Sequence, residues 1–504
     1  MTVAGEVERA ALTVLQPGFE GTVPPDWVRR ALADGLGGVL LFARNVAGPA
    51  GTAALVAALR EESPGAVVAI DEEGGSVTRL EAAGGSSWPG NLALGVVGDE
   101  TLTRRVGRQI GRMVGAAGIT LDYAPVVDVN ADPRNPVIGV RSFGSDPDEV
   151  SRHSAAWIEG FQSAGVAACA KHFPGHGDTV IDSHLELPTV RASRDVLERR
   201  DLPPFRASIA AGVRAVMCGH LRVPALDDEP ATLSRAIVTG LLREELGFDG
   251  LVVTDAIEMQ AVAALHDPGE IAVRALVAGV DVVCVGVSSA QGESVYALRD
   301  AIVRAVREGR LPEERLAEAA GRVHELAAWY AERAGDRAGA AAGAVEGLGL
   351  ATAAAALRVA DPAGGLRPAE AVETPVLEAA PLVVRLYGWR SQAVGRATPL
   401  TLAEALAEHL PGTAGVEVGP GDAPPDLAAL AGPGRPLVVA VHDAGRHEWM
   451  RRLLDEAVRA RPDTVVVETG VPGPPCGRVY LATHGASTAS ARAAARWLTG
   501  RHAG

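Results

Sequence analysis

Along the first two thirds of the chain, short uninterrupted apolar runs alternate with amphipathic stretches of helical period. The runs centre on Leu12–Leu15, Gly38–Phe42, Val67–Ile70, Ile119–Val126, Val166–Ala170, Ala215–Cys218, Leu251–Thr254 and Val282–Val285. Apart from Ile119–Val126, which carries Thr120 and Asp122, they lack the apolar/polar alternation of a half-solvated strand, so they read as buried strands. Between them Trp27–Asp34, Thr101–Ala117, Glu149–Ala164, Arg194–Ala211, Ser234–Glu245 and Gly269–Ala278 read as helices. Ser234 has the chemistry of an N-cap, and Gly247 follows that helix as a stop. Strict βα alternation predicts a parallel sheet. Eight repeats predict that it closes as a (β/α)8 TIM-type barrel, with a doubly wound open sheet as the alternative.

Past Arg333 the pattern breaks into Ala334-Gly335-Asp336-Arg337-Ala338-Gly339-Ala340, a linker or frayed helix. A second α/β series follows, with strands at Leu382–Leu386, Pro436–Val441, Asp463–Val467 and Arg478–Ala482 and a helix at Glu448–Ala460. The expected division is a barrel over 1–333, a linker over 334–345 and a smaller three-layer α/β/α domain over 346–504.

Composition narrows the function classes. In 504 residues, 47 Lys and Arg stand against 62 Asp and Glu, a net charge of −15. An acidic surface argues against nucleic acid or an anionic membrane as the main partner. The cysteines Cys169, Cys218, Cys284 and Cys476 are far apart, and three lie in strand-like runs, so buried reduced thiols are expected. The start, with Glu6, Glu8 and Arg9, shows no secretory signal, and Ala338–Leu357 is too weakly apolar to span a bilayer. The expectation is a cytoplasmic protein.

Polar residues gather just after the strands: Asp71-Glu72-Glu73-Gly74-Gly75, Asp128 with Asn130, Lys171-His172, Gly219-His220 and Asp255. In a parallel barrel such positions converge on one mouth. The densest stretch, Lys171-His172-Phe173-Pro174-Gly175-His176-Gly177-Asp178-Thr179-Val180-Ile181-Asp182-Ser183-His184, holds three histidines on a glycine-shaped loop.

Three chemistries compete for it. A metal site would take His172, His176, Asp178 and His184, but Pro174 and two glycines interrupt any helical ligand spacing. A phosphate loop lacks the required pattern, and Asp178 would repel the anion. Glycoside chemistry needs a carboxylate nucleophile and a proton donor across a sugar ring. Asp255 ends a buried strand, where a carboxylate is either a helix N-cap or a positioned nucleophile. Asp182 and His184 set a carboxylate and an imidazole two residues apart, and a ring of intrinsic pKa about 6.5 can both give and take a proton near neutrality.

These residues carry a resemblance. Ile70-Asp71-Glu72-Glu73-Gly74-Gly75, Asn135-Pro136-Val137-Ile138-Gly139, Arg141-Ser142-Phe143-Gly144, the Lys171–His184 stretch and Thr254-Asp255-Ala256-Ile257-Glu258-Met259 resemble glycoside hydrolase family 3, in its β-N-acetylglucosaminidase (NagZ-type) branch. They fall in the family's order over most of the first 290 residues. The resemblance implies a (β/α)8 barrel and a retaining two-step mechanism, with Asp255 as nucleophile, His184 as acid/base and Asp182 as its partner. It assigns Asp71, Arg141, Lys171 and His172 to sugar binding. Val140 departs from the acidic residue that relatives often carry before Arg-Ser-Phe-Gly.

The expected activity is exo-hydrolysis of β-linked N-acetylglucosamine from small cell-wall or chitin fragments, as in peptidoglycan recycling, with no cofactor and no metal. A phosphorylase on the same scaffold and a silent sugar sensor are the alternatives. His442-Asp443, His447 and Thr483-His484-Gly485 read as turn residues and caps rather than a second site.

Overall fold

The apolar runs become strands because their side chains have two layers to pack into, and the loops between them carry the chemistry. The structure, a computed structural model, describes residues 3–183, 186–286, 288–341, 343, 345–361, 364–372, 377–388, 400–422 and 425–501. The chain resolves into two compact units. One comprises Met1–Glu72, Thr103–Ile138 and Ser145–Ala344; the other comprises Glu73–Leu102, Gly139–Gly144 and Val345–Gly504.

The strands of the first unit are β1 (Leu15–Pro17), β2 (Gly38–Leu41), β3 (Val67–Ile70), β4 (Leu121–Asp122), β5 (Ala167–Phe173), β6 (Ala215–Cys218), β7 (Arg222–Val223), β8 (Asp227–Pro230), β9 (Leu251–Thr254) and β10 (Val283–Val285). The order β2-β3-β4-β5-β6-β9 forms a parallel sheet, and β1 pairs in parallel with β10. Parallel bridges Gly18↔Leu40 and Val253↔Val282 connect that pair to the two edge strands. The result is a curled parallel sheet of TIM-like kind, with Leu40, Ala69, Tyr123, Cys169, Met217 and Val253 in one core cluster. β7 and β8 form an antiparallel hairpin inserted after β6.

Three sequence readings need correction. Leu12–Leu15 is not a strand: helix Val3–Thr13 runs through it and β1 begins only at Leu15, because Val7, Ala11 and Leu12 already supply a buried helical face. Of Ile119–Val126 only Leu121–Asp122 pairs as a strand, with a lone bridge at Val126. Arg194–Ala211 splits into Arg194–Arg200 and Pro203–Ala210, since Pro203 and Pro204 lack the amide hydrogens that a continuous helix needs. Ser234 caps as expected, its Oγ accepting from Ile237 N at 3.2 Å. The expected linker contains a helix, Ala334–Ala341.

The second unit is built on β11 (Arg358–Ala360), β12 (Leu366–Pro368), β13 (Leu382–Leu386), β14 (Ala414–Val418), β15 (Leu437–Val441), β16 (Val465–Glu468) and β17 (Val479–Ala482). Their order is β12-β11-β17-β16-β15-β13-β14, antiparallel at β12-β11-β17 and parallel beyond. Successive strand residues feed two separate cores: Val383, Val438 and Val467 pack with Leu406 and Trp497, whereas Val384, Val439 and Val466 pack with Met450 and Leu454. Among the described residues, no helix is long and apolar enough to cross a membrane.

Candidate active site

Two carboxylates and a lysine lie at neighbouring strand ends of the first unit. Lys171, near the end of β5 and 2% exposed, donates from Nζ to Asp71 Oδ1 at 2.8 Å just past β3. The next amide, Glu72 N, donates to Asp122 Oδ1 at 2.8 Å on β4. Burial pushes the Asp122 carboxyl well up, with the Glu72 charge adding to it.

The loop after β5 is held by Asp128. This wholly buried carboxylate takes the His172 and His176 amides at 3.2 and 2.7 Å, and the His172 ring meets it through Nδ1 at 2.7 Å. Burial by itself would raise the Asp128 pKa, but the His172 ring and the hydrogen bonds outweigh it and hold the group below its ordinary value. Burial, reinforced by the nearby His172 charge, depresses His176 to about 4. Its ring is committed locally, Nδ1 to Thr179 Oγ1 at 2.8 Å and Nε2 to Ser183 Oγ at 3.2 Å. Gly177 is obligatory here, since a Cβ would stand 1.6 Å from the Val129 carbonyl oxygen. Asn135 fastens the same loop through Nδ2 to the His176 carbonyl at 2.8 Å.

His176 and Asp178, both named in the metal reading, take separate partners. Asp178 accepts from Arg200 at 2.8 Å, and among the described residues no three His, Cys, Asp or Glu side chains gather as a metal site. Asp182 is partly exposed at the end of the loop, its carbonyl accepting from Glu186 N at 3.1 Å. His184 lies outside the described residues.

Asp255 follows β9 directly. Its amide donates to Cys218 O at 3.0 Å on β6, and its own Oδ1 accepts from Ala256 N at 2.9 Å. It is not a helix N-cap: the next helix, Gln260–Ala263, is entered from Met259. The group is partly exposed. Asp71 and Asp255 both act on the buried Tyr123 hydroxyl, whose pKa is driven up first by burial and then further by these charges.

Arg141 is placed differently. It belongs to the second compact unit, where its guanidinium makes a two-pronged pair with Glu73, Nε to Oε2 at 2.9 Å and Nη2 to Oε1 at 2.7 Å, both residues buried. Asn91 Nδ2 donates to the Arg141 carbonyl at 2.7 Å. The segments around it are seated within the same unit: a Cβ on Gly485 would come 2.4 Å from the Pro89 carbonyl oxygen, and one on Gly349 2.0 Å from that of Ser87.

Sequence reasoning placed Asp128 and Glu73 among the polar groups that follow the strands but gave neither a role. Asp128 had a signal, a lone charge inside Val126-Val127-Asp128-Val129. Glu73 had none beyond its place beside Asp71. In the C-terminal part of the second unit, Glu468, His442 and His484 have local partners. Glu468, buried and raised to about 8 by burial with the Asp443 charge adding, accepts from the Asp443, Ala444 and Gly470 amides. His442 meets Thr469 Oγ1 at 3.1 Å, and His484 the Ala356 carbonyl at 3.1 Å.

Known proteins resemble this chain over most of its length. The profile of the "Glycosyl hydrolase family 3 N terminal domain" matches residues 22–326. A "Beta-hexosaminidase A" of Pseudoalteromonas piscicida is 34% identical over 344 residues, 63% of this chain; the match spans 56% of that relative's length. A "Beta-hexosaminidase" of Thiobacillus denitrificans is 37% identical over 273 residues, covering 53% of this chain and 76% of the relative. The solved structure of a family 3 β-N-acetylglucosaminidase from Paenibacillus sp. superposes with a TM-score of 0.86 at 33% identity, over 99% of this chain and 97% of that one.

Proposed function

The chain belongs to glycoside hydrolase family 3, and from that premise we propose that it is a retaining exo-β-N-acetylglucosaminidase. Its substrates are small glycosides derived from cell wall or chitin. The observation that carries the reading is the likeness, over nearly the whole of both chains, to the Paenibacillus enzyme.

On this reading Asp255, held on a strand end, attacks the anomeric carbon while the bond to the leaving oxygen breaks. His184, oriented by Asp182, gives that oxygen its proton. The same ring then takes a proton from water as water attacks the glycosyl-enzyme and frees Asp255. The Lys171–Asp71 pair sets ammonium donors beside carboxylate acceptors, which suits neighbouring sugar hydroxyls that both donate and accept. His172, fixed through Nδ1 on Asp128, turns its other ring edge to the sugar. Arg141, locked by Glu73, supplies a rigid planar donor.

We also read the eight parallel strands of the first unit as a closed (β/α)8 barrel, spanning 1–333 before a 334–345 linker; the bridges at Gly18 and Val253 support closure. The two separate cores of the second sheet support a three-layer α/β/α domain over 346–504.

The test is turnover of an aryl N-acetylglucosaminide, with and without inorganic phosphate, followed by labelling with a 2-deoxy-2-fluoro sugar. Release of free sugar and a label on Asp255 are expected. A sugar 1-phosphate product would make the protein a phosphorylase, and absence of turnover would remove the catalytic reading.

A further inference from the structure

Asp255 is fixed at its amide by β6, and a second residue from the end of that strand reaches past it. His220, wholly buried two residues beyond β6, places Nε2 3.0 Å from the Ala256 carbonyl oxygen. A carbonyl only accepts, so Nε2 carries the proton. Nδ1 lies 2.9 Å from Thr232 Oγ1, and that hydroxyl lies 3.0 Å from the Gly219 carbonyl. The ring thus ties together the end of β6, the segment after the β7–β8 hairpin and the turn after β9.

The peptide between Ala256 and Ile257 is held on both edges. Its carbonyl takes the His220 ring and the Met259 amide at 3.1 Å, and its N–H donates to Cys284 O at 3.1 Å on β10. The Ala256 N–H in turn supports Asp255 Oδ1 at 2.9 Å. Rotation of Ala256 would therefore carry away the donor on which the carboxylate leans. Gly219 leaves no slack either, since a Cβ there would come 3.0 Å from His172 Cβ. An apolar residue would fill the His220 position without the cost of desolvating two ring nitrogens, so packing alone does not account for the imidazole.

We infer that His220 is a positioning residue for the reaction: it fixes the turn after Asp255 so that the carboxylate keeps its line of attack. This rests on the reading of Asp255 as nucleophile given above. The expected cost of losing that alignment is rate rather than sugar affinity, because the sugar is held by other groups.

The experiment compares His220→Leu, which removes the donor, with His220→Gln, whose amide can restore one to the Ala256 carbonyl, in the full chain. Single-turnover cleavage of a dinitrophenyl N-acetylglucosaminide, with enzyme in excess, gives the rate of the first step, and titration with a fluoro-sugar gives the fraction of competent enzyme. His220→Leu should slow that step on the order of 10²-fold at an unchanged competent fraction, with the inhibition constant of N-acetylglucosamine little changed, and His220→Gln should recover much of the rate. Thr232→Val, which keeps the ring but removes its Nδ1 partner, should give a milder slowing of the same kind and serves if His220→Leu fails to fold. An unchanged single-turnover rate, a Gln variant no faster than Leu, or a loss confined to the competent fraction would overturn the inference. A wild-type fluoro-sugar label on another carboxylate would instead overturn the nucleophile assignment, whatever the His220 variants do.

Discussion

Lys171 Nζ and Asp71 Oδ1 stand 2.8 Å apart, joining the ends of β5 and β3 across the intervening β4. The ammonium is almost wholly buried while the carboxylate keeps some contact with solvent, its side chain 18% exposed. Removing either takes a charge partner from the other. Lys171→Met and Asp71→Asn should each raise KM for an aryl N-acetylglucosaminide, on the order of tenfold or more for a charged hydrogen bond. The double variant should fall well short of the product of the two, a coupling of about 1 kcal/mol or more in kcat/KM. Additive effects would show that the two residues act separately.

Arg141→Lys keeps the charge but loses the planar fork that meets both oxygens of Glu73. Urea unfolding should show a loss of about 1–3 kcal/mol, and KM should rise. Glu73→Gln should be the more destabilising, since it takes the negative charge away from a buried guanidinium. Equal stability of both variants and wild type would mean that the pair adds nothing.

The proton donor is testable through the leaving group. His184→Ala should slow cleavage of an N-acetylglucosamine disaccharide by about 10²–10⁴-fold, the range for general acid catalysis. The first step on a dinitrophenyl glycoside should be nearly spared, so that a burst precedes slow turnover. Asp182→Asn should give the same pattern more mildly. Equal slowing of both first steps would make His184 a binding residue.

Acid should weaken the fold through its buried rings. Burial depresses His176 and His484 to about 4, below the value of about 6.5 expected of an unfolded chain. Between those limits the unfolded state binds protons that the folded state refuses, so the stability these two rings contribute is full above about pH 6.5 and is lost as pH drops toward 4, while the raised carboxyl of Glu468 works in the opposite sense. Each ring contributes on the order of 3 kcal/mol to that loss. In denaturant unfolding at a series of pH values, His484→Gln should flatten the slope between pH 6.5 and 4; an unaltered slope would assign the acid loss elsewhere.

Strands buried on both faces were the most legible part of the fold. β3, β6, β9 and β15 fall on nearly unbroken apolar runs, because burial on two sides leaves no room for polar alternation. The strands that escaped are those with little to bury: β12 is exposed throughout, β14 mostly faces solvent, and β8 is made of two aspartates, a glutamate and a proline. In the site, Asp255, Lys171 and His172 stood out as polar residues just after or at the ends of apolar runs. The clamp by Asp128 and the Arg141–Glu73 pair did not, since both join residues far apart in sequence, 44 positions in one case and 68 in the other.

The loops carrying Glu73 and Arg141 belong, by their contacts, with the C-terminal residues rather than with the strands they interrupt. The second structural unit is therefore not continuous along the chain. A recombinant that exchanged only residues 345–504 for those of a relative would also exchange Gly349 and Gly485, the surfaces on which Ser87 and Pro89 rest. Shuffling that keeps these contacts moves three stretches as one block, 73–102 and 139–144 together with the C-terminal region.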